Sequence, residues 1–427
     1  MPVSYVAALR GLSRNVRLVL LAAALQGFAI SGIYGVLLNL FILRLGHGPE
    51  FVGLVNGTGL LASALFCLPA SAVGRRFGSR RAMLAGIALI ALGYVALPLT
   101  QLLPLALTPY ALVAAYLTAN LGNALKGVNV IPYVMSATRP EARSHAFSLQ
   151  HAITPGAAFL GSLTGGLLPA FFAGRLGTAV TDPLPYGIAL LVGAVGLLPA
   201  VVAIMAAEDV DGQAVRPAAP RVPASTATVM PLGLMLIMSA LLLIRVAGDR
   251  SVSIYFNVYM DDALGVPTAL IGTVTAIGQV LAIPAALAAP LLTTRLGNGR
   301  SYALTALLMS LVLLPLALIP AWPAAAFSYI GLTSLISLAR PAVIVHQQSL
   351  VPVEWRSTMA GVTQMGVSIG ASGVAYLGGY LAGTAGYRAV FLMGSVLVFA
   401  GAALFWAYFR VPRGELARDA NATRFVR

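Results

Sequence analysis

The chain has 427 residues, 59% of them hydrophobic and only 9% charged, with a net charge of +14. An average soluble domain has about 25% charged residues, so water as the sole solvent is excluded. The basic residues are dispersed over short segments and not gathered in a stripe interleaved with aromatics, which argues against nucleic acid as a partner. Residues 1–17 carry three arginines and no small-residue cleavage site, so the first apolar run is read as a retained helix and not as a signal peptide.

Crossing a bilayer core about 30 Å thick takes roughly 20 apolar residues. Runs of that length fall at 18–43, 51–73, 82–100, 106–135, 146–174 and 185–206, then at 231–260, 268–292, 301–320, 324–350, 357–383 and 387–410. They predict an all-α membrane protein with twelve transmembrane helices. The longest polar stretch separates the two sets, with Glu208, Asp209, Asp211 and Arg216 among Pro217, Pro220 and Pro223, and reads as a linker. The expected organisation is one six-helix bundle over 1–206, a cytoplasmic linker over 207–230 and a second bundle over 231–427 ending in a short cytoplasmic tail. The single cysteine, Cys67, rules out a disulfide within one chain.

Orientation follows from the arginines in alternate loops. With the amino terminus inside, one side collects Arg10, Arg14, Arg17, Arg75, Arg76, Arg80, Arg81, Arg139, Arg143, Arg216, Arg221, Arg295, Arg300, Arg356 and the five tail arginines, nineteen in all, and the other side Arg44, Arg175 and Arg388. An even number of crossings with both termini cytoplasmic follows. The remaining cations, Lys126, Arg245, Arg250 and Arg340, fall within helices.

The two halves repeat one plan. An offset of 219 residues places Gly53 on Gly272, Gly59 on Gly278, Arg76 on Arg295, Gly78 on Gly297, Arg81 on Arg300 and Tyr110 on Tyr329. Further on, an offset of 213 places Arg143-Ser144 on Arg356-Ser357 and Gly165-Gly166 on Gly378-Gly379. Parallel six-helix halves are the arrangement of major facilitator transporters. The segment from Ser71 to Arg81, with Gly74-Arg75-Arg76-Phe77-Gly78 inside it, resembles the signature loop between the second and third helices of that superfamily, and Thr294-Arg295-Leu296-Gly297-Asn298-Gly299-Arg300 echoes it.

The resemblance implies two pseudo-symmetric six-helix bundles and a cytoplasmic gate that uses Arg76, Gly78, Arg81, Arg295, Gly297 and Arg300. Ser71 replaces the family's opening glycine, and Arg75 and Thr294 stand where it has an acid. Positive-inside anchoring is the other reading of these arginines. Small-residue pairs at Gly53 and Gly57, Gly161 and Gly165, and Gly366 and Gly370 permit close helix approach, and helices two, five, eight and eleven form the rocking seam of the resembled fold.

A charge at the centre of a membrane helix costs roughly 2.5 to 3.5 kcal/mol on insertion scales, so each one is a functional candidate. Lys126, the only lysine, lies in helix four; Arg245, Asp249 and Arg250 run from the middle of helix seven outward; Arg340 lies in helix ten. In the resembled fold, helices one, four, seven and ten line a central cavity. Those helices add Gln26, Asn39, Asn120, Asn123, Asn129, Asn257, His346, Gln347 and Gln348. The expected binding set is Gln26, Asn39, Asn123, Lys126, Arg245, Asp249, Asn257 and Arg340.

Arg245 and Asp249 have the spacing of a self-neutralising pair. Asp249 is the first candidate for carrying a coupling proton, with His346 as the alternative or as a solvated gate residue. Unpaired cations suit a carboxylate or phosphate group. His145 and His151 have no metal-ligand partners at useful spacing, and the Asn421-Ala422-Thr423 sequon falls in a tail expected to be cytoplasmic.

The expected function is a secondary transporter that moves a small organic solute, anionic or amphipathic, by alternating access, with protons as the candidate coupling ion. The alternative is a proton-driven multidrug exporter, although Asn123, Lys126 and Gly127 stand where the family's drug antiporters have arginine, glutamine and glycine, and Thr154-Pro155-Gly156 scrambles their helix-five pattern. A transport-dead sensor or scaffold is the reading from a different class. An enzyme would need paired acids, a metal cluster or a nucleophile with its base, and the sequence offers none, so no enzyme activity, metal or cofactor is expected. The expected partners are the solute and the lipid bilayer, with a monomer as the functional unit in a bacterial inner (plasma) membrane.

Overall fold

The computed structural model describes residues 13–138, 143–209, 230–352 and 355–411, with side chains at all but 143–145, 147 and 357. Arg10, Arg139, Arg216, Arg221, the His145 side chain, most of the expected linker, the tail arginines after Arg410 and the Asn421 sequon lie outside the described residues.

The described chain is helical and contains no strand. Twelve long helices succeed one another: α1 Arg14–Arg44, α2 Pro49–Phe77, α3 Ser79–Leu102, α4 Thr108–Ala137, α5 Arg143–Leu176, α6 Pro183–Met205, α7 Leu232–Ala263, α8 Thr268–Leu296, α9 Asn298–Leu318, α10 Trp322–Ser349, α11 Arg356–Ala385 and α12 Tyr387–Phe409. In a bilayer only a helix or a closed barrel satisfies its own backbone polar groups, which is why apolar runs of this length fold as helices, with a turn at Gly196–Leu197 inside α6. Pro49 and Pro183 sit at helix starts, where the missing N–H is no loss.

Eleven of these helices are long and apolar enough to cross a membrane. The expected count of twelve is not reached, because α4 is 30 residues long but diluted by Asn120, Asn123, Lys126 and Asn129. The helix with the weakest membrane signal is thus the one that carries the candidate residues Asn123 and Lys126.

The repeat is visible in the helix limits. Both ends of α2, shifted by 219, give those of α8, and the helical stretch Ser79–Leu99 shifts onto Asn298–Leu318. The two short turns also share a conformation. Gly78 has φ 92° and ψ 148°, and Gly297 has φ 77° and ψ 162°, a region open in practice only to glycine.

The chain divides into two compact units, one of residues 1–219 with 265–280, the other of residues 220–264 with 281–427. In the first, α3 and α4 approach so closely that a Cβ on Gly122 would lie 2.5 Å from the Gly86 carbonyl oxygen. There α1 is π-helical over Gly27–Tyr34 and packs on α5: a Cβ on Gly32 would stand 2.5 Å from Gly161 Cα, and one on Gly161 would collide with the Phe28 carbonyl. Tyr34 donates to the Tyr94 carbonyl. The 265–280 segment joins this unit through Gly272, which faces Gly166, and Thr268, whose hydroxyl is 2.7 Å from that of Tyr186.

In the second unit, Gly366 and Gly370 of α11 pack on Ser239 and Leu243 of α7, and Tyr255 donates to the Ala375 carbonyl. Gly161, Gly165, Gly366 and Gly370 therefore make close contacts inside their own units, the close helix approach that such pairs permit.

Candidate functional site

In the first unit the site is built on α1 and α4. Lys126 donates from Nζ to Gln26 Oε1 at 2.7 Å. Gln26 is buried, 7% exposed, and is the last residue before the π-helical segment of α1, a local irregularity that recurs at functional sites. Gln26 and Lys126 line a small cavity with Met83, Ile87, Gln150 and Ile204. It holds about 10 Å³, room for one water molecule.

Asn39 belongs to a separate network toward the other end of α1. Asn56 of α2 donates to Asn39 Oδ1 at 2.9 Å, and Tyr116 of α4 donates to Asn56 Oδ1 at 3.3 Å. Asn123, by contrast, is only half-buried, and the remaining α4 asparagines serve the backbone. Asn120 donates to the Tyr116 carbonyl at 2.9 Å, and Asn129 to those of Leu125 at 2.8 Å and Ala70 at 3.2 Å. Asn56, Tyr116 and Gln150 were missed by sequence reasoning. Asn56 and Gln150 lie in helices assigned to the outside of the cavity, and Tyr116 reads as an ordinary apolar position.

The second unit carries Arg245, Asp249, Arg250 and Asn257 on α7 and Arg340 on α10. The expected Arg245–Asp249 pair is not formed. Arg245 turns toward α9, with Nη1 3.4 Å from Met309 Sδ and its guanidinium 5.9 Å from the centre of the Tyr302 ring. Its Nε is buried without a hydrogen bond. Asp249 instead faces its neighbour Arg250, Nε to Oδ2 4.0 Å, the outer limit of an ion pair. An i, i+4 pair needs both side chains to lean along the helix, and the aromatic face of Tyr302 offers Arg245 an alternative. Arg340 is exposed, and Asn257 is buried.

His346 is not solvated. It is 6% exposed and packs between the rings of Phe405 at 5.3 Å and Phe409 at 5.0 Å, with Nε2 unpartnered. Among the residues expected at a cytoplasmic gate, Arg76 lies over the Phe77 ring, while Arg81, Arg295 and Arg300 are exposed. Their neighbours are tied down: Arg75 donates to Ser71 Oγ at 2.7 Å, and Arg80 to the Met205 carbonyl at 2.6 Å.

In the first unit an ammonium group stands beside a neutral amide, and in the second Arg245 and Arg250 share α7 with Asp249, while Arg340 lies on α10. The family model described as Major Facilitator Superfamily matches residues 19–374. No curated protein matches the sequence. Solved structures do: a D-xylose-proton symporter (TM-score 0.72, 14% identity, 94% of this chain and 98% of that one), the inward open xylose transporter XylE from E. coli (0.71, 15%, 96% and 98%) and a mutant of the nucleoside transporter NupG (0.70, 14%, 92% and 100%). At such identity they establish the shared fold. With its apolar helices and a family match over most of its length, the chain is an integral membrane protein and belongs to the Major Facilitator Superfamily.

Proposed function

We propose that the protein is a secondary active transporter, not an enzyme, that moves a small organic solute bearing an anionic group by alternating access. The observation that carries the reading is the chain's single lysine, Lys126, held 2.7 Å from Gln26 inside a helix bundle. An ammonium group placed there at a cost of a few kcal/mol is best accounted for by an anionic ligand that shares it. Arg245 and Arg340 add guanidinium groups suited to carboxylate or phosphate. Asp249, whose one close cation among the described residues is Arg250 at 4.0 Å, is the carboxylate available to a coupling proton.

In this reading α4 crosses the membrane as a twelfth span, its polar residues turned toward the bundle interior. The residues 1–206 and 231–427 act as two bundles joined by 207–230, both termini face the cytoplasm of a bacterial inner membrane, and the monomer is the working unit. Gly78 and Gly297, with the arginines beside them, act at the cytoplasmic gate.

The test is thermal unfolding of the purified protein with matched anionic, neutral and cationic amphiphiles, since a ligand of the folded state alone raises stability by RT ln(1 + [L]/Kd). Selective stabilisation by anions that Lys126→Gln abolishes supports the reading. Selective stabilisation by cations that Asp249→Asn abolishes would replace it with proton-driven efflux of amphipathic drugs. No stabilisation by any solute, with no transport in vesicles, would favour a sensor or scaffold.

A further inference from the structure

A cavity opens between α9 and α12 of the second unit, lined by residues other than the polar ones described above. Its walls are two stripes of identical helical spacing: Arg300, Ala303, Leu304 and Leu307 on α9, and Phe399, Ala402, Ala403 and Trp406 on α12, with Leu296 closing one end. Positions i, i+3, i+4 and i+7 share one helix face, so each helix presents one continuous strip. The groove holds about 430 Å³, within the range of about 300 to 1,000 Å³ typical of sites for medium-sized ligands. The three alanines hollow it out. Leu304, Phe399 and Trp406 around them remain 39%, 53% and 57% exposed, on helices that cross the membrane.

The only charged group in the lining is Arg300, at one end of the groove. It is exposed in the first turn of α9, where the helix dipole is positive and a cation is disfavoured. Arg295 near the end of α8 and Arg410 just after α12 are exposed at the corresponding helix ends. Neither α8, α9 nor α12 contains an acidic residue. An anion at this end would be met by the guanidinium group and by the free N–H groups of the α9 terminus, and everything deeper in the groove is apolar.

From this we infer that the α9–α12 groove is a binding site for an anionic phospholipid, with its phosphate on Arg300 and an acyl chain laid between Ala303, Leu304, Ala402 and Ala403. Charge at one end and hydrocarbon over the rest is the complement of a lipid. Trp406 lies toward the same helix ends as Arg300, as tryptophan does at the level of the headgroups. The groove is separate from the solute-binding residues. Because Arg300 also belongs to the proposed gate, the test reads lipid occupancy and not transport, so its failure is distinguishable from failure of the proposed function.

Delipidated protein in detergent is titrated with phosphatidylglycerol or with phosphatidylcholine of the same chains, and lipid occupancy is read by native mass spectrometry. One phosphatidylglycerol is expected to bind at least fivefold more tightly than phosphatidylcholine. Arg300→Gln brings the two lipids level, a loss of about fivefold, the effect of one cation near an anionic headgroup. Arg295→Gln leaves the preference intact, and Ala403→Phe, which fills the groove, lowers occupancy by both lipids. The inference is overturned if Arg300→Gln binds like wild type, if Arg295→Gln and Arg300→Gln lose the preference equally, which would mean diffuse surface attraction, or if inorganic phosphate displaces the lipid completely.

Discussion

The contact between Lys126 and Gln26 yields a prediction that separates a structural from a functional lysine. Replacing Lys126 by Met leaves the Gln26 amide, 7% exposed, without its partner at a cost of about 1 to 3 kcal/mol. Replacing Gln26 by Leu leaves the ammonium group without its acceptor, at the upper end of about 1.5 to 3 kcal/mol for a hydrogen bond to a charged group. The double variant leaves two apolar side chains in a cavity of about 10 Å³, and removing both partners together is close to neutral. The cycle therefore predicts a coupling energy equal to the sum of the two single losses, about 4 to 6 kcal/mol, read by denaturant titration in mixed micelles. The double variant, folded and near wild-type stability, is expected to have lost stabilisation by anionic solutes. A coupling below about 0.5 kcal/mol, the scatter of independent sites, would refute the claim that the two side chains form one unit. Full anion binding by the double variant would refute the assignment of the pair to the solute.

Four further outcomes follow from the geometry. Gly161→Ala, whose new Cβ would collide with the Phe28 carbonyl, is expected to lower stability by about 1 to 3 kcal/mol through overpacking, whereas Gly127→Ala, which meets nothing within 4 Å, is expected to be neutral or to stabilise by up to about 1 kcal/mol; thermal unfolding distinguishes them. Gly297→Ala also has open space but a φ of 77°, so a loss of about 1 to 3 kcal/mol there would arise from the backbone alone. His346→Phe removes an unpartnered ring nitrogen from an aromatic surround and is expected to keep or raise stability with the pH profile of transport unchanged; a lost pH response would return His346 to the proton pathway. Asp249→Asn is expected to retain solute binding while uncoupling uptake from the proton gradient, measured as solute accumulation in vesicles with and without an imposed pH difference.

Hydrophobic run length located the helices because the bilayer requires continuous helical segments, and the arginine and glycine echo at an offset of 219 residues predicted helix limits and turn conformations that coincide between the halves. The count of membrane-competent helices fell short at α4, and the reason is physical. Hydropathy averages a helix over its whole circumference, while a transporter helix can be polar on one side, so Asn120, Asn123, Lys126 and Asn129 lower the mean of a 30-residue helix that is as long as its neighbours.

The candidate site was legible as a set of residues, and its pairings were not. Spacing alone favours Arg245 with Asp249 because i, i+4 neighbours share a helix face, and it contains nothing about Tyr302 or Met309, which are 57 and 64 positions away on another helix. The same limit hid the acceptor of Lys126: Gln26 lies 100 residues upstream, and the repeat offset of 219 residues matches it with Arg245. That match acquires meaning from the structure. At equivalent positions of α1 and α7, one half carries the neutral acceptor that holds a cation from α4, and the other carries the cation itself. Two halves with one backbone plan therefore carry different chemistry at equivalent positions, and the Lys126, Arg245 and Arg340 variants can resolve it one group at a time.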